Sequence, residues 1–391
     1  MKRIFSAIGV FLRSADIPLL IMCICTSVFG IVMIASASTH QGASNYILVQ
    51  IIALVLGIIA FVILTLIDID IIAERWDLLL IISFLFIGSL YFFGVEGDSG
   101  NRSWLRPSFL PFGLQPAEIC KIFYIIILAK LLSQNEQRIN SLLTIGKIGL
   151  ITLIFIGEIV LISKDDGSAL AYAAIFIVTV LCAGISFAWF GLGIAALVVA
   201  VPYAWNAGFF DNYQKARLML PYDATIDPSG QNERYQMRLS QIYIGGGQLT
   251  GQGLFEGTQT QAGTLPAQHT DFIFSVIGEE LGMIGCIVCI LLLFAIIIRC
   301  FYVAFRTNSF MNRLICIGVG GMLLFQVCIN VGMCLGVLPI IGLTLPFISY
   351  GGSSVVTMFV AVGIVSGIRM RPAPDSSAHY LRPPITNRFA P

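Results

Sequence analysis

The sequence predicts an all-α polytopic membrane protein of about ten transmembrane helices, and three observations carry that prediction. Of its 391 residues, 57% are hydrophobic and only 11% are charged. An ordinary soluble domain carries about 25% charged residues, so this chain lacks the polar surface to face water all round. Ten apolar runs, at residues 17–37, 46–66, 78–93, 117–132, 148–162, 169–183, 187–204, 272–298, 314–335 and 355–368, approach or exceed the roughly 17–25 residues that cross a bilayer; the shorter ones need their polar flanks. The runs must be helical, because inside lipid every backbone N–H and C=O has to find its partner within the protein.

The net charge of +1 excludes nothing by itself, but its distribution orients the chain. In a ten-helix arrangement Lys2, Arg3, Arg13, Arg75, Lys130, Arg138, Lys147, Arg299, Arg306, Arg313, Arg369, Arg371, Arg382 and Arg388 fall on one side. Arg102, Arg106, Lys121, Lys164, Lys215, Arg217, Arg234 and Arg238 fall on the other. The positive-inside rule makes the first side cytoplasmic, with both termini there. The first run is long, has no convincing cleavage site and is followed by another span, so it reads as a helix that is retained. The domain expected is residues 1–371, with a large outer loop at about 206–271, and a short Pro- and Ser-rich cytoplasmic tail, 372–391, that reads as disordered.

Four polar islands interrupt the runs, at residues 96–118, 163–168, 206–271 and 339–354, all placed on the outer side. In the largest, residues 235–244 have the pattern of a short amphipathic surface helix. The glycines that follow (Gly245–Gly247, Gly251, Gly253, Gly257) suit tight turns and close backbone approach. They do not form a phosphate-binding P-loop, which needs Gly-Lys-Ser/Thr opening a helix. The ten cysteines lie in or beside apolar runs. Cys286 and Cys289 form a CxxC without partner ligands and read as packing, and no metal ligands are assigned.

The stretch LPAQHTDFIFSVIGEELG, residues 265–282, gathers His269, Thr270, Asp271, Glu279 and Glu280 around the start of one apolar run. An acid at a helix N-terminus is favoured by the helix dipole by about 0.3–1 kcal/mol, so Asp271 could be a cap alone. Eight residues of helix place Glu279 roughly 12 Å deeper. There a carboxylate costs about 2.5–3.5 kcal/mol unless paired or water-lined, so a functional reading of the cluster is favoured. In QPAEICK, Pro116 suits a first helical turn. Glu118 and Lys121, three apart, share a face as a self-neutralising pair or as a cation held for phosphate. Arg102 and Trp104 precede them in RSWL; Lys215, Arg217, Arg234 and Arg238 make the large loop basic. Lys164–Gly167 reads first as a turn. The last island, LPIIGLTLPFISYGGSS, is irregular backbone that must line protein or a water-filled cavity.

Taken together, RSWL, QPAEICK, DDGSAL (165–170), GGGQLTGQGLFEGTQTQ (245–261), the 265–282 block and LPFISYGGSS (345–354) resemble, in order along nearly the whole chain, the SEDS family of bacterial shape, elongation, division and sporulation proteins (RodA, FtsW and SpoVE types). The departures are SKDDG where QPDLG is usual, Ala117 in place of serine, an arginine one residue earlier than usual at Arg102, and Ile341 where threonine is common. The resemblance implies a peptidoglycan glycosyltransferase that polymerises lipid II beside a class B penicillin-binding transpeptidase, in the bacterial cytoplasmic membrane with the active site on the outer face. It places the essential aspartate at Asp271, the QPSE-x-x-K element on Gln115, Pro116, Glu118 and Lys121, and the loop tryptophan at Trp104.

The expected chemistry follows. A sugar hydroxyl attacks an anomeric carbon bearing a polyprenyl pyrophosphate, Asp271 is the base, and Lys121 with Arg217 or Arg102 offsets charge on the leaving group. Glu118 and Glu279 hold those cations. Gln115, Trp104, Arg102, Arg217, His269, Thr270 and Ser349 complete the expected substrate contacts. A divalent cation (Mg or Mn) at the pyrophosphate is compatible, though no ligand cluster specifies it. Membrane lipids are expected partners and nucleic acid is not. The rival expectations are a lipid II flippase, against which no inverted repeat is seen, and a scaffold that only recruits a transpeptidase.

Overall fold

In the computed structural model, residues 14–39, 42–95, 101–108, 110–208, 212–223, 225–227 and 234–371 are described. The tail at 372–391 and the cations Lys2, Arg3, Arg13, Arg382 and Arg388 lie outside them. Ten helices build the bundle: α1 (Ile17–Ala37), α2 (Ala43–Leu66), α3 (Trp76–Gly88, continued by Leu90–Phe93), α4 (Pro116–Gln134), α5 (Leu142–Glu158, running into a π-helical turn Ile159–Ser163), α6 (Asp166–Cys182), α7 (Phe187–Asn206), α8 (Ile273–Arg306), α9 (Phe310–Cys334) and α10 (Gly352–Met370). Eight are long and apolar enough to cross a membrane. The other two are α4, which carries Glu118, Lys121 and Lys130, and α6, which has 17 residues. Each matches one apolar run of the sequence. Among the described residues there is no β-strand, only the isolated bridges Val95–Trp104 and Leu105–Leu114 in the hairpin before α4.

Burial sorts the helices. α4, α9 and α10 supply the centre: α10 packs along α2, α9 against α6 and α8, and α3 against α4. α7, which carries Pro202 inside it, contributes no buried residue among its described side chains and is an edge helix whose apolar side chains suit lipid. At one end of the bundle Asp16 is fully buried between Arg299 Nε and Arg369 Nη1, both 2.9 Å away, and its backbone N–H donates to Ser366 Oγ at 3.0 Å. That carboxylate ties the start of α1 to α8 and α10. The polar islands converge at the opposite end.

The helix expected at 235–244 is present as Tyr235–Gly247. It is docked on the bundle, with Ser240 Oγ 2.7 Å from the carbonyl of Cys334 and 2.6 Å from Ser275 Oγ. The glycine-rich segment after it repairs a break in α8. At Gly282 (φ 65°, ψ −162°) the helix loses its own ladder. The amides of Met283 and Ile284 donate instead to the carbonyls of Gln248 (2.9 Å) and Leu249 (3.2 Å). The carbonyls those amides would have met, on Glu279 and Glu280, accept from the amides of Gln252 (2.9 Å) and Gly253 (3.0 Å). Four backbone groups that would be orphaned at membrane depth are thereby satisfied.

Glu279 and Glu280 secure the same loop. Glu279, fully buried, accepts from the backbone amides of Gln259 and Thr260 (2.8 Å each) and from Thr260 Oγ1 (2.6 Å). Glu280 accepts from Ser36 Oγ (2.5 Å) and Gln261 Nε2 (3.2 Å), joining the loop to α1.

Two outcomes follow. Gly251 has φ +83°, and a Cβ there would stand 2.1 Å from the carbonyl oxygen of Glu280. Gly251→Ala is therefore expected to lower the melting temperature of the detergent-solubilised protein far more than Gly263→Ala. Gly263 also has positive φ, but nothing lies within 4 Å of its Cβ position. Glu279→Gln, which turns an amide toward donors, is expected to speed hydrogen exchange across 258–262, as mass spectrometry would measure; unchanged protection there contradicts the anchoring role.

Candidate active site

The end of the bundle opposite Asp16 brings together three segments distant in sequence. Gln115, the residue before α4, donates from Nε2 to Asp165 Oδ2 at 2.8 Å, while its backbone N–H donates to Ser353 Oγ at 3.2 Å. Asp165 caps α6: Oδ1 accepts from the Ser168 amide (2.9 Å) and Oδ2 from Ser168 Oγ (2.8 Å). Through its side chain and its backbone N–H, Gln115 thus joins the start of α4 to those of α6 and α10.

Asp271 lies in the turn that leads into α8 and is half-buried. Removal from water pushes its carboxyl up to about 6; the Asp165 carboxylate pushes the same way and the Arg217 guanidinium opposes it. Arg217 belongs to the short helix Asn212–Met219 in the large loop. Asp165 and Arg217 therefore both act electrostatically on Asp271. The segment 339–351 closes the other side: Gly342, at φ 77°, has no side chain, and a Cβ there would come within 3.5 Å of Asp271 Oδ2. Ser349 Oγ donates to the Thr270 carbonyl at 2.6 Å and accepts from the Leu345 amide at 2.8 Å. Its hydroxyl is thus committed to holding the loop.

His269 points elsewhere. Its ring sits 4.8 Å from the Tyr46 ring and 5.5 Å from the Tyr350 ring, and burial lowers its pKa, which favours the neutral imidazole. Thr270 is half-exposed, with Oγ1 turned back to the Ala267 carbonyl at 3.1 Å. Trp104 stands in the hairpin before α4 against Gly113, where a Cβ would lie 3.0 Å from its ring. Arg102, two residues earlier, is exposed.

Lys121 is one turn inside α4 and fully inaccessible, and its ammonium is bonded to Glu118 Oε1. The pair is a layer beneath the mouth; breaking it by removing one partner would cost about 3–5 kcal/mol. The carboxylate expected to hold a cation alongside Glu118 was Glu279, but both of its oxygens are occupied by the loop at 258–260. Asn330 and Gln115's partner Asp165 carry more of the site's architecture than their motifs suggest. Asn330 was missed because an amide in an apolar run carries no charge to draw notice. Among the described residues no group of three or more His, Cys, Asp or Glu side chains is arranged to hold a metal, and every cysteine there is free, Cys286 and Cys289 included.

The family model described as "Cell cycle protein", for FtsW, RodA and SpoVE, matches residues 17–372. A probable peptidoglycan glycosyltransferase FtsW of Trichlorobacter lovleyi is 32% identical over 381 residues, covering 94% of this chain and 97% of that one. The peptidoglycan glycosyltransferase MrdB of Escherichia coli K12 is 33% identical over 297 residues, 75% of this chain and 78% of that one. Among solved structures, a chain from work on the structural coordination of polymerization and crosslinking by a peptidoglycan synthase complex superposes with TM-score 0.77 at 28% identity, covering 91% of this chain and 98% of that one. The rod shape determining protein RodA of Thermus thermophilus gives TM-score 0.68 at 25% identity, covering 93% and 99%. With a family match from the first described helix to the end of the last, this multi-pass membrane protein belongs to the FtsW/RodA/SpoVE family.

Proposed function

We propose that this chain is a peptidoglycan glycosyltransferase that polymerises lipid II into glycan strands for elongation, division or sporulation, releasing polyprenyl pyrophosphate. The observation that carries the reading is the placement of Asp271, a half-buried carboxyl group in the turn into α8, against Gly342 and under the influence of the Arg217 guanidinium, where burial raises its pKa to about 6. A carboxylate with that pKa is ionised at neutral pH and basic enough to accept a proton in the transition state. In the proposed step the acceptor hydroxyl attacks the anomeric carbon, its proton passes to Asp271, and the bond to pyrophosphate breaks with inversion. The leaving group needs no acid, because pyrophosphate departs as an anion.

Arg217 is placed to offset charge near the reacting centre. Lys121, held by Glu118, would reach a phosphate only after the first turn of α4 separates from its neighbours. Gln115 and Asp165 fix that turn. Glu279, Ser349 and Thr270 act on the loop that carries Asp271. Trp104 and Arg102 stand in the hairpin before α4, and His269 packs on Tyr46 and Tyr350 beside the loop of Asp271. A Mg or Mn ion, which commonly takes one or two carboxylates plus substrate phosphates, remains compatible, and no step above is routed through it. The cation distribution of the sequence supports a mouth on the outer face of the bacterial membrane with both termini in the cytoplasm. A class B penicillin-binding transpeptidase is the proposed partner.

Three outcomes test the reading. Purified Asp271→Asn is expected to fold as wild type does and to polymerise lipid II at least about 100-fold more slowly; normal polymer from that variant, or lipid scrambling in liposomes without polymer from wild type, overturns it. The base works only when ionised. Wild-type kcat should therefore rise about tenfold per pH unit below 6 and level off above, the midpoint tracking the carboxyl raised by burial. Arg217 favours the charged form, so Arg217→Gln should move that midpoint upward.

A further inference from the structure

We propose that Asn330 is a positioning residue for the transfer, its side-chain amide clamping the loop that carries Asp271 to the segment at 339–351. The inference rests on the assignment of Asp271 as the base.

Residues 269–271 are not helical, so their carbonyls have no partner within their own segment. All three are met from elsewhere. The Tyr350 amide donates to the His269 carbonyl at 2.9 Å, Ser349 Oγ to the Thr270 carbonyl at 2.6 Å, and Asn330 Nδ2 to the Asp271 carbonyl at 2.8 Å. Asn330 Nδ2 also donates to the Leu343 carbonyl at 2.7 Å. Its two N–H groups are thus divided between two segments, neither of them in its own helix. One bond fixes the backbone of the residue bearing the base. The other fixes the backbone next to Gly342, the residue that lies against Asp271 Oδ2.

Asn330 is fully buried in α9, a largely apolar helix in which Gln326 is the neighbouring buried amide, and an aliphatic side chain would serve packing alone. An amide there is worth its desolvation only when its hydrogen bonds are made. Neighbouring contacts agree: Gln50 of α2 donates to the Ser349 carbonyl at 3.1 Å and accepts from the Gly351 amide at 3.3 Å, so the segment is held on both sides. Two of the loop's donors thus come from the segment at 349–350, and two from α9: the amide of Asn330 and, more weakly, the thiol of Cys334, 3.8 Å from the Asp271 carbonyl.

The groups facing Asp271 are Asp165 at the start of α6, Arg217 on the loop helix and Cys334 on α9. The segment at 339–351 brings no charged side chain. Loosening the clamp leaves these charges in place but lets water reach the carboxyl, so its titration moves down.

The test uses the purified full chain with lipid II. Asn330→Ala, and Asn330→Leu as the variant that best preserves packing in an apolar helix, should lower kcat by about 100-fold with KM within about twofold of wild type. The acid-limb midpoint should fall from about 6 toward the ordinary carboxylate range. Amides at 270–272 should exchange faster, a readout that needs no turnover. A folded Asn330→Leu with wild-type kcat, midpoint and exchange overturns the proposal; so does a loss of kcat with the midpoint still at about 6, which marks packing alone. Wild type that makes no glycan sinks the glycosyltransferase reading, while exchange at 270–272 still decides the clamp.

Discussion

The bilayer interior offers no hydrogen-bond partner, and that constraint governs every irregular segment of this protein. A helix satisfies its own backbone; a break at membrane depth does not, and each orphaned group costs several kcal/mol. Where α8 breaks at Gly282, the loop at 248–253 supplies two carbonyls and two amides in place of the lost ladder. Where the chain leaves helix at 269–271 and 339–351, the two irregular segments satisfy each other with help from Asn330. Irregular backbone is affordable only because two such segments meet.

That solution has a chemical consequence. Segments tied together by these backbone and side-chain hydrogen bonds have little freedom, so the carboxyl of Asp271 is held between a glycine and a helix N-terminus. Partial burial raises its proton affinity, and the nearby Asp165 adds to the effect while Arg217 limits it. A general base useful at neutral pH emerges from the same packing that closes the backbone. The opposite end of the bundle uses charge differently: Asp16 is bracketed by Arg299 and Arg369 and serves as a staple between three helices.

The ten spans were legible because apolar run length is a strong signal and lipid leaves one secondary structure available. The charged α4 was legible for the same reason, since Glu118 and Lys121 at spacing three neutralise one another. The cluster at Asp271 could be found from the improbability of acids at the edge of an apolar run. The role of Glu279 was not: sequence suggested a partner for a cation, but four donors from the loop at 258–260 take its oxygens, a pairing set by tertiary contact. The glycines of 245–257 signalled close backbone approach without saying to what. Asn330 was overlooked because attention to cost inside the membrane went to ionisable groups, although a buried amide is subject to the same accounting. Its mid-run position in α9 was the available signal.

The account turns on the protonation of one side chain, which infrared difference spectroscopy of protein carrying isotope-labelled aspartate measures directly. A protonated-carboxyl band that titrates with a midpoint near 6 and is missing from Asp271→Asn is the predicted result. A midpoint near 4, the value of an aspartate open to water, would contradict the account.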